Sequence, residues 1–423
     1  MSRRGELDVV VVGAGAVGGA LALALAQDGF EVALVEAREP KPWRAEDEVD
    51  LRVVALAPDA RALLEDLGVW RSIAAARIGP YRHMRVWDAL APGELHFDAA
   101  ERGEAALGWI VENKLVQWAL WQALHEDSVG RNGFTRAAAE HSKGVRKSIA
   151  ADAAATRPMI HCPGEVAEIE DGESGVTATL ADGTRLRARV LVAAEGAESP
   201  VRKRLGIAFE GRDYAQRAVV AHVATERPHA GTAWQRFQPG GPLAFLPLAD
   251  GRCSIVWSLP EADAVRVLAL DDDAFRAELG CAFDFRLGAI TATTPRAAFP
   301  LRLRLAARYV AGRCVLAGDA AHVVHPLAGQ GMNLGLRDVA CLRRVLRDAR
   351  DRGSDLGAAH VLRRYERERR SDNTLAARGF DAIERVYGLA SEPVATLRGA
   401  ALALVGRFAP VRGMLAAIAA GRR

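Results

Sequence analysis

Gly13, Gly15 and Gly18 stand in the order GxGxxG. At that spacing backbone, rather than side chains, can approach a pyrophosphate. The first glycine permits a tight turn, the second a close approach, and the third the packing of a helix on a sheet. Glu36, about twenty residues on, is placed to bond ribose hydroxyls, and its charge would repel a 2′-phosphate, which argues against NADP there. A second stretch has the same character. Residues 318–335 read GDAAHVVHPLAGQGMNLG and carry Asp319, His322, His325, Pro326, Gly329, Gln330, Gly331, Met332 and Asn333. They include no nucleophile and no acid–base pair of the hydrolase kind. A third stretch, VLVAAEGAESPVRKR (190–204), runs from an apolar strand into Glu195, Ser199 and Arg202.

The elements that must position these residues are visible beside them. Residues 9–12 are a continuous apolar run, as in a parallel strand buried on both faces. The glycine turn and a helix follow, offering unpaired N–H groups to phosphate, and a second strand closes at Glu36. This strand–turn–helix–strand order indicates an α/β dinucleotide-binding fold, with FAD and NAD both open on this segment alone. Ser199 reads as the N-cap of the helix after it. Trp234, Phe237, Phe245 and Trp257 alternate as in a sheet core.

Composition narrows the class. The 423 residues allow one or two domains, and a net charge of +3 gives no case for nucleic acid. Five scattered cysteines, without CxxC or metal spacing, indicate free thiols in a reducing compartment and no metal site. The N-terminus passes from MSRRGE straight into a strand, leaving no room for a signal peptide. No apolar run reaches the ~18–20 residues of a membrane span. A cytoplasmic protein is expected.

The three motifs together resemble the aromatic-hydroxylase group of flavoprotein monooxygenases. LRVVALAPDARALLEDLGVW, LGWIVENKLVQWALWQAL, GPLAFLPLADGRCSIVWSLP, HPLAGQGMNLGLRDV and LRRYERERRSDN are similar to its ubiquinone-biosynthesis branch. The likeness spans nearly the whole chain. It implies a Rossmann-like FAD-binding domain, a mainly antiparallel β-sheet substrate domain and C-terminal helices. It also places Asp319 on the ribityl chain of FAD, Arg52 near the isoalloxazine, and Gln117 near the phosphates or ribityl, with Asn113 in the adjoining turn. Pro326, Gly329, Gln330, Gly331, Met332 and Asn333 would form a turn and helix start against the flavin. The N–H groups and dipole there would stabilise negative charge on the reduced ring. Phe245 and Pro247, in AFLPL, would face substrate. Glu195 stands where the family carries Asp, one methylene shorter, which bears chiefly on the NAD(P)H side. His322 and His325 read as loop histidines bonded to backbone, because flavin hydroxylation requires no histidine base.

The implied activity is O2-dependent hydroxylation of the ring of a polyprenylated phenol or benzoquinol, through a flavin C4a-hydroperoxide. Electrons would come from NAD(P)H without a second Rossmann motif, or from another protein. The alternatives are a flavin-binding scaffold in a quinone-biosynthesis assembly, or hydroxylation of a different aromatic. The expected FAD-binding segments are 1–80, 112–210 and 300–345. The substrate domain would take 81–111 and 211–299, and a helical region 346–423. Residues 127–157 hold Lys143 and Lys147, two of only five lysines, and few large apolar side chains, so they read as an insertion. The apolar, arginine-spaced tail 395–423 either covers the core or lies on a bilayer surface.

Overall fold

The computed structural model describes residues 6–126, 156–324 and 330–388, and among these the strands form three sheets. The first is built on five parallel strands, adjacent in the order β19 (Cys314–Leu316), β11 (Arg185–Ala193), β1 (Leu7–Val12), β2 (Val32–Val35) and β8 (Met159–His161). β2 and β19 are buried throughout, as is β1 from Val9 on; unbroken apolar runs can be covered on both faces in this way. β9 (Val166–Asp171), β10 (Val176–Leu180) and β18 (Val310–Ala311) extend the sheet in antiparallel fashion.

Register decides where the site can form. Val12 is level with both Val35 and Ala193, and Ala193 is level with Leu316. The carboxyl ends of four strands therefore stop together. The residues just beyond them, Gly13, Glu36, Glu195 and Asp319, open on one edge, where ligands of open parallel sheets bind.

Helix α1 (Ala16–Gln27) follows Gly15 and is buried over almost its whole length. Its AVGGALALALAQ sequence is apolar all round because it is covered on both sides. Strands β1 and β2 lie beneath it, with α4 (Asn113–His125) and α8 (Gln330–Asp351) outside. Helices α2 (Pro58–Asp66) and α3 (Trp70–Ala76) connect α8 to α4, and α9 (Ala359–Gly388) packs on α8.

The second sheet runs β20 (His322–Val323), β17 (Ala297–Ala306), β12 (Phe209–Thr225), β15 (Cys253–Pro260), β14 (Leu243–Pro247), β13 (Thr232–Phe237), β5 (His83–Asp88) and β6 (Glu94–Asp98), with β16 (Ile290–Thr293) also on β12. It is antiparallel except between β13 and β5. Side chains alternate between its faces. Val219, Val223, Ile255 and Trp257 pack with Phe275, Leu279 and Phe283 of the α6 (Glu261–Ala269) and α7 (Asp272–Ala282) layer. Ala218, Val220 and Val256 face the first sheet across a cleft. A small sheet of β3 (Val53–Leu56), β7 (Gly108–Glu112) and β4 (Ile78–Tyr81) closes one side. The segment borders expected at 210/211 and 299/300 fall inside β12 and β17.

Of the expected insertion, only Thr156 and Arg157 belong to the described residues. Both are tied down: Thr156 N donates to Ala26 O at 2.9 Å and Arg157 Nη2 to His125 O at 3.0 Å. The tail 395–423 lies outside the described residues.

Candidate functional site

A cleft of about 640 Å³ lies between the first and second sheets. Gly13, Gly15, Glu36, Arg52, Gln117 and Glu195 line it, as do Asp319, Gly331 and Met332, drawn from stretches of sequence up to 319 residues apart (13 to 332).

The glycines have separate physical reasons. Gly13 has φ +101°, and a Cβ there would stand 2.6 Å from Ala194 O, so only glycine fits between the two strand ends. At Gly18 a Cβ would come within 1.9 Å of Gly13 O, which makes this glycine a packing requirement of α1. Gly15 differs: its φ is −65°, and a Cβ would meet nothing within 4 Å. Its lack of a side chain keeps cleft space open. The start of α1 carries no side-chain cap and no acid in its first turn, so its positive end is free to meet an anion.

Glu36 Oε2 accepts from Ala14 N at 2.5 Å and Oε1 from Arg38 N at 3.0 Å, so the carboxylate is fixed at the end of β2 beside the glycine loop. Gln117 of α4 donates Nε2 to Ala14 O at 3.2 Å. Arg52 enters from the loop before β3. Its N bonds Asp50 Oδ1 at 2.8 Å, its O accepts from Asn113 N at 2.9 Å, and its guanidinium stands 6.0 Å from the Phe299 ring centre.

Glu195 follows β11. Burial pushes its carboxyl pKa up, against the pull of Ser199 Oγ–H and Val201 N, which both donate to Oε2. Ser199 Oγ in turn accepts from Arg202 N at 3.0 Å and so caps α5 (Pro200–Arg204). Arg202 turns inward: it donates to Ile207 O at 3.0 Å and lies 3.8 Å over the Phe209 ring. Asp319 sits in the turn Gly318–Ala320 with its side chain open to the cleft. The protein walls around it raise its pKa, against the opposing fields of His322 and Arg52.

At the far end Gly331 and Met332 begin α8, and a Cβ at Gly331 would meet nothing within 4 Å. Gln330 opens the same helix. Pro326, Gly329 and His325 lie outside the described residues. Asn333 does not face the cleft. It is fully buried, with Nδ2 on Ala55 O at 2.8 Å and Oδ1 accepting from Ala57 N at 2.9 Å. These bonds latch α8 to the junction of β3 and α2, so the Asn333 side chain is spent on the fold, and the contact expected of this residue is one its backbone would make.

Two expectations are corrected. Phe245 is fully buried and stacks on Phe283 at 3.7 Å, on the helix-covered face of the second sheet. Pro247 is buried where β4 crosses β14, at the place where a Cβ on Gly79 would touch Pro247 O at 2.1 Å. Neither side chain lines the cleft. The wall opposite the glycine loop is instead Ala218, Val220, Val256, Phe299, Leu301 and Val323. Alternation in β12 and β17 hinted at these residues but not at which face they occupy. His322, expected to bond backbone, instead sets Nε2 2.6 Å from Asp338 Oδ2.

The donor set suits a flavin dinucleotide: backbone and a helix start at one end, carboxylates at two strand ends, and side-chain-free glycines at both extremes. Among the described residues no cluster of His, Cys, Asp and Glu is arranged to hold a metal. Among them, too, no helix is long and apolar enough to cross a membrane.

A family described as FAD binding domain matches residues 6–378. The chain is 36% identical to the 3-demethoxyubiquinol 3-hydroxylase of Escherichia coli, covering 93% of each. It is 37% identical to the ubiquinone hydroxylase UbiL of Rhodospirillum rubrum, over 96% of this chain and 87% of the relative. To the mitochondrial ubiquinone biosynthesis monooxygenase COQ6 of Homo sapiens it is 34% identical, over 97% and 92%. Among solved structures, p-nitrophenol 4-monooxygenase PnpA of Pseudomonas putida aligns over 99% of both chains with TM-score 0.73 and 20% identity. Klebsiella pneumoniae HpxO, solved with FAD and uric acid, aligns over 98% of this chain and 97% of its own with TM-score 0.68 and 21% identity. These two likenesses speak to fold alone. With the FAD-binding match across most of its length and full-length relatives above 30% identity, the chain belongs to the FAD-dependent hydroxylases of ubiquinone biosynthesis.

Proposed function

We propose that this protein hydroxylates the ring of a polyprenylated phenol or benzoquinol, using FAD and O2. One observation carries the reading from the site itself. The cleft has cofactor-type residues along one wall, and the apolar side chains of Ala218, Val220, Val256, Phe299 and Leu301 line the other. A planar, oil-soluble ring suits that wall, and an apolar surface keeps water from the reacting edge. FAD, when bound, supplies the oxygen-transfer chemistry.

The chain's own residues then have separable tasks. The Gly13–Gly18 turn and the start of α1 hold the pyrophosphate, Glu36 the adenosine ribose, and Asp319 the ribityl hydroxyls. Arg52 and Gln117 border the space between. The start of α8 at Gln330 and Gly331, which Pro326 and Gly329 precede in sequence, would offer N–H groups to the reduced flavin. No side chain is asked to act as a nucleophile. Glu195 borders the approach of an NAD(P)H donor, which binds without a second glycine fingerprint. We further propose that the tail 395–423 touches the membrane that holds the substrate, and that the protein works within a quinone-biosynthesis assembly.

The test is quinone-intermediate profiling of a deletion strain, complemented with wild type or Asp319→Asn. Accumulation of one under-hydroxylated prenylated ring, cleared only by wild type, supports the proposal and names the ring position. Full clearance by a variant shown to hold no flavin would point to a scaffold and overturn it.

A further inference from the structure

The turn that presents Asp319 is gripped from behind by a polar cluster. Its members stand in three of the quoted stretches, GDAAHVVHPLAGQGMNLG, HPLAGQGMNLGLRDV and LRRYERERRSDN, without their joint task being visible there. Asp338 of α8 is completely buried and accepts four N–H groups. Its Oδ2 takes Gly318 N at 3.0 Å and His322 Nε2 at 2.6 Å. Its Oδ1 takes Arg369 Nε at 2.7 Å and Asn373 Nδ2 at 3.2 Å, both from α9. The two groups held by Oδ2 flank Asp319, one residue before it and three after. Ala321 N closes the same turn on Gly318 O at 2.8 Å. Helix α9 adds two more holds on this segment, Tyr365 Oη to Leu316 O at 2.8 Å and Tyr309 N to Glu366 Oε1 at 2.7 Å.

We propose that Asp338, backed by Arg369, is a positioning residue that aims the Asp319 carboxylate at the ribityl chain of the cofactor. The inference rests on the reading of Asp319 given above. The physical reasoning turns on cost. A buried ion pair is a weak way to stabilise a fold, since apolar groups of the same shape serve as well. What apolar groups cannot do is hold an N–H in a fixed direction. Asp338 draws Gly318 N inward, and the next residue in the tight turn must then point its side chain outward, into the cleft. Slippage is blocked from the other side, because Gly318, at φ +60°, lies against Val17: a Cβ there would stand 3.0 Å from Cγ2. Burial opposes the charge on Asp338, but His322 and Arg369, the latter 4% exposed, together keep it ionised away from water. Helix α9 thus acts on the cofactor through Asp338, without touching the cleft.

The test compares FAD with ADP in equilibrium titrations of the flavin-free protein. ADP has the pyrophosphate and adenosine that reach Gly15 and Glu36, but no ribityl chain. Asp338→Asn is expected to raise the Kd for FAD by about tenfold or more, the scale of one lost hydrogen bond to a charged group, and to leave ADP within about twofold. Asp319→Asn should do the same, and the double variant should be no worse than Asp319→Asn alone, because both changes remove one function. An unchanged FAD affinity in Asp319→Asn would sink the reading of Asp319 itself. If Asp319→Asn weakens FAD, the positioning proposal falls on any of three results: Asp338→Asn leaves FAD unchanged, weakens ADP equally, or adds fully to Asp319→Asn. Should Asp338→Asn not fold, His322→Leu removes one donor of the four. A loss of FAD affinity of about threefold with ADP unchanged then supports the proposal, and equal loss or none overturns it.

Discussion

Glu195 shows how one carboxylate ties the site to solution conditions. Burial raises its pKa above the ordinary 4.5, so in the folded protein it keeps a proton that the unfolded chain has already released. Across that window the unfolded state binds fewer protons, and stability falls as pH rises. Glu195→Gln removes this slope. In flavin-free protein the thermal midpoint of the variant should gain on wild type as pH rises above 4.5, until the folded-state carboxyl has itself ionised, followed by calorimetry; parallel curves would show that Glu195 is not the source. Phe299 belongs to the same scale. It is 41% exposed, large and apolar, in the wall facing the glycine loop. Phe299→Ala should raise KM for the ring substrate by about tenfold, equivalent to roughly 1.4 kcal/mol of lost ring contact, while FAD binding is unchanged. An effect on kcat alone would place Phe299 away from the bound ring.

At the scale of elements, the two glycines that end the fingerprint make opposite forecasts. Gly15→Ala puts a methyl into open cleft at an ordinary φ, so the apoprotein should melt within about 2 °C of wild type while FAD affinity drops by more than tenfold. Gly18→Ala drives a methyl into Gly13 O and should destabilise the apoprotein by about 1–3 kcal/mol, seen as a lower denaturation midpoint. The sequence made such elements readable where chemistry is local. A glycine turn, the strand before it and the acid after the next strand lie within thirty residues, and their roles follow from backbone geometry. The second sheet was readable as a sheet but not as to face. Alternation at Trp234, Phe245 and Trp257 marks one side without saying whether helices or cofactor cover it, and Phe245 lies under the helices. Asn333 has a side-chain task that was not legible: at the first turn of α8 Met332 faces the cleft and the Asn333 side chain is bonded to Ala55 and Ala57. Asp338, Arg369 and Tyr365 stand in stretches that carry the family likeness, but their meeting could not be read. They are ordinary helical residues whose meaning depends on two helices crossing behind a turn.

At the scale of the whole molecule, the chain leaves the described structure at residue 127 and returns at Thr156 almost where it left. The Arg157 guanidinium reaches His125 O, and Thr156 is bonded to the end of α1. Replacing 128–154 with a short Gly-Ser linker should therefore keep the fold. The thermal midpoint should stay within about 2 °C, because closing a shorter connection between neighbouring ends changes closure entropy little. FAD affinity should be unchanged. Loss of folded protein would mean that the segment belongs to the core.

The level strand ends carry a consequence for synthesis. Gly13 and Glu36 leave the ribosome early, Glu195 near the middle, and Asp319 and Gly331 only after three quarters of the chain is made. β19 must slot beside β11, paired at Leu191 with Cys314, before the edge is complete. A nascent chain stalled before residue 310 holds the nucleotide end of the cleft but lacks Asp319 and the start of α8. Yellow colour on stalled ribosomes should accordingly appear in one late step, once α8 has emerged.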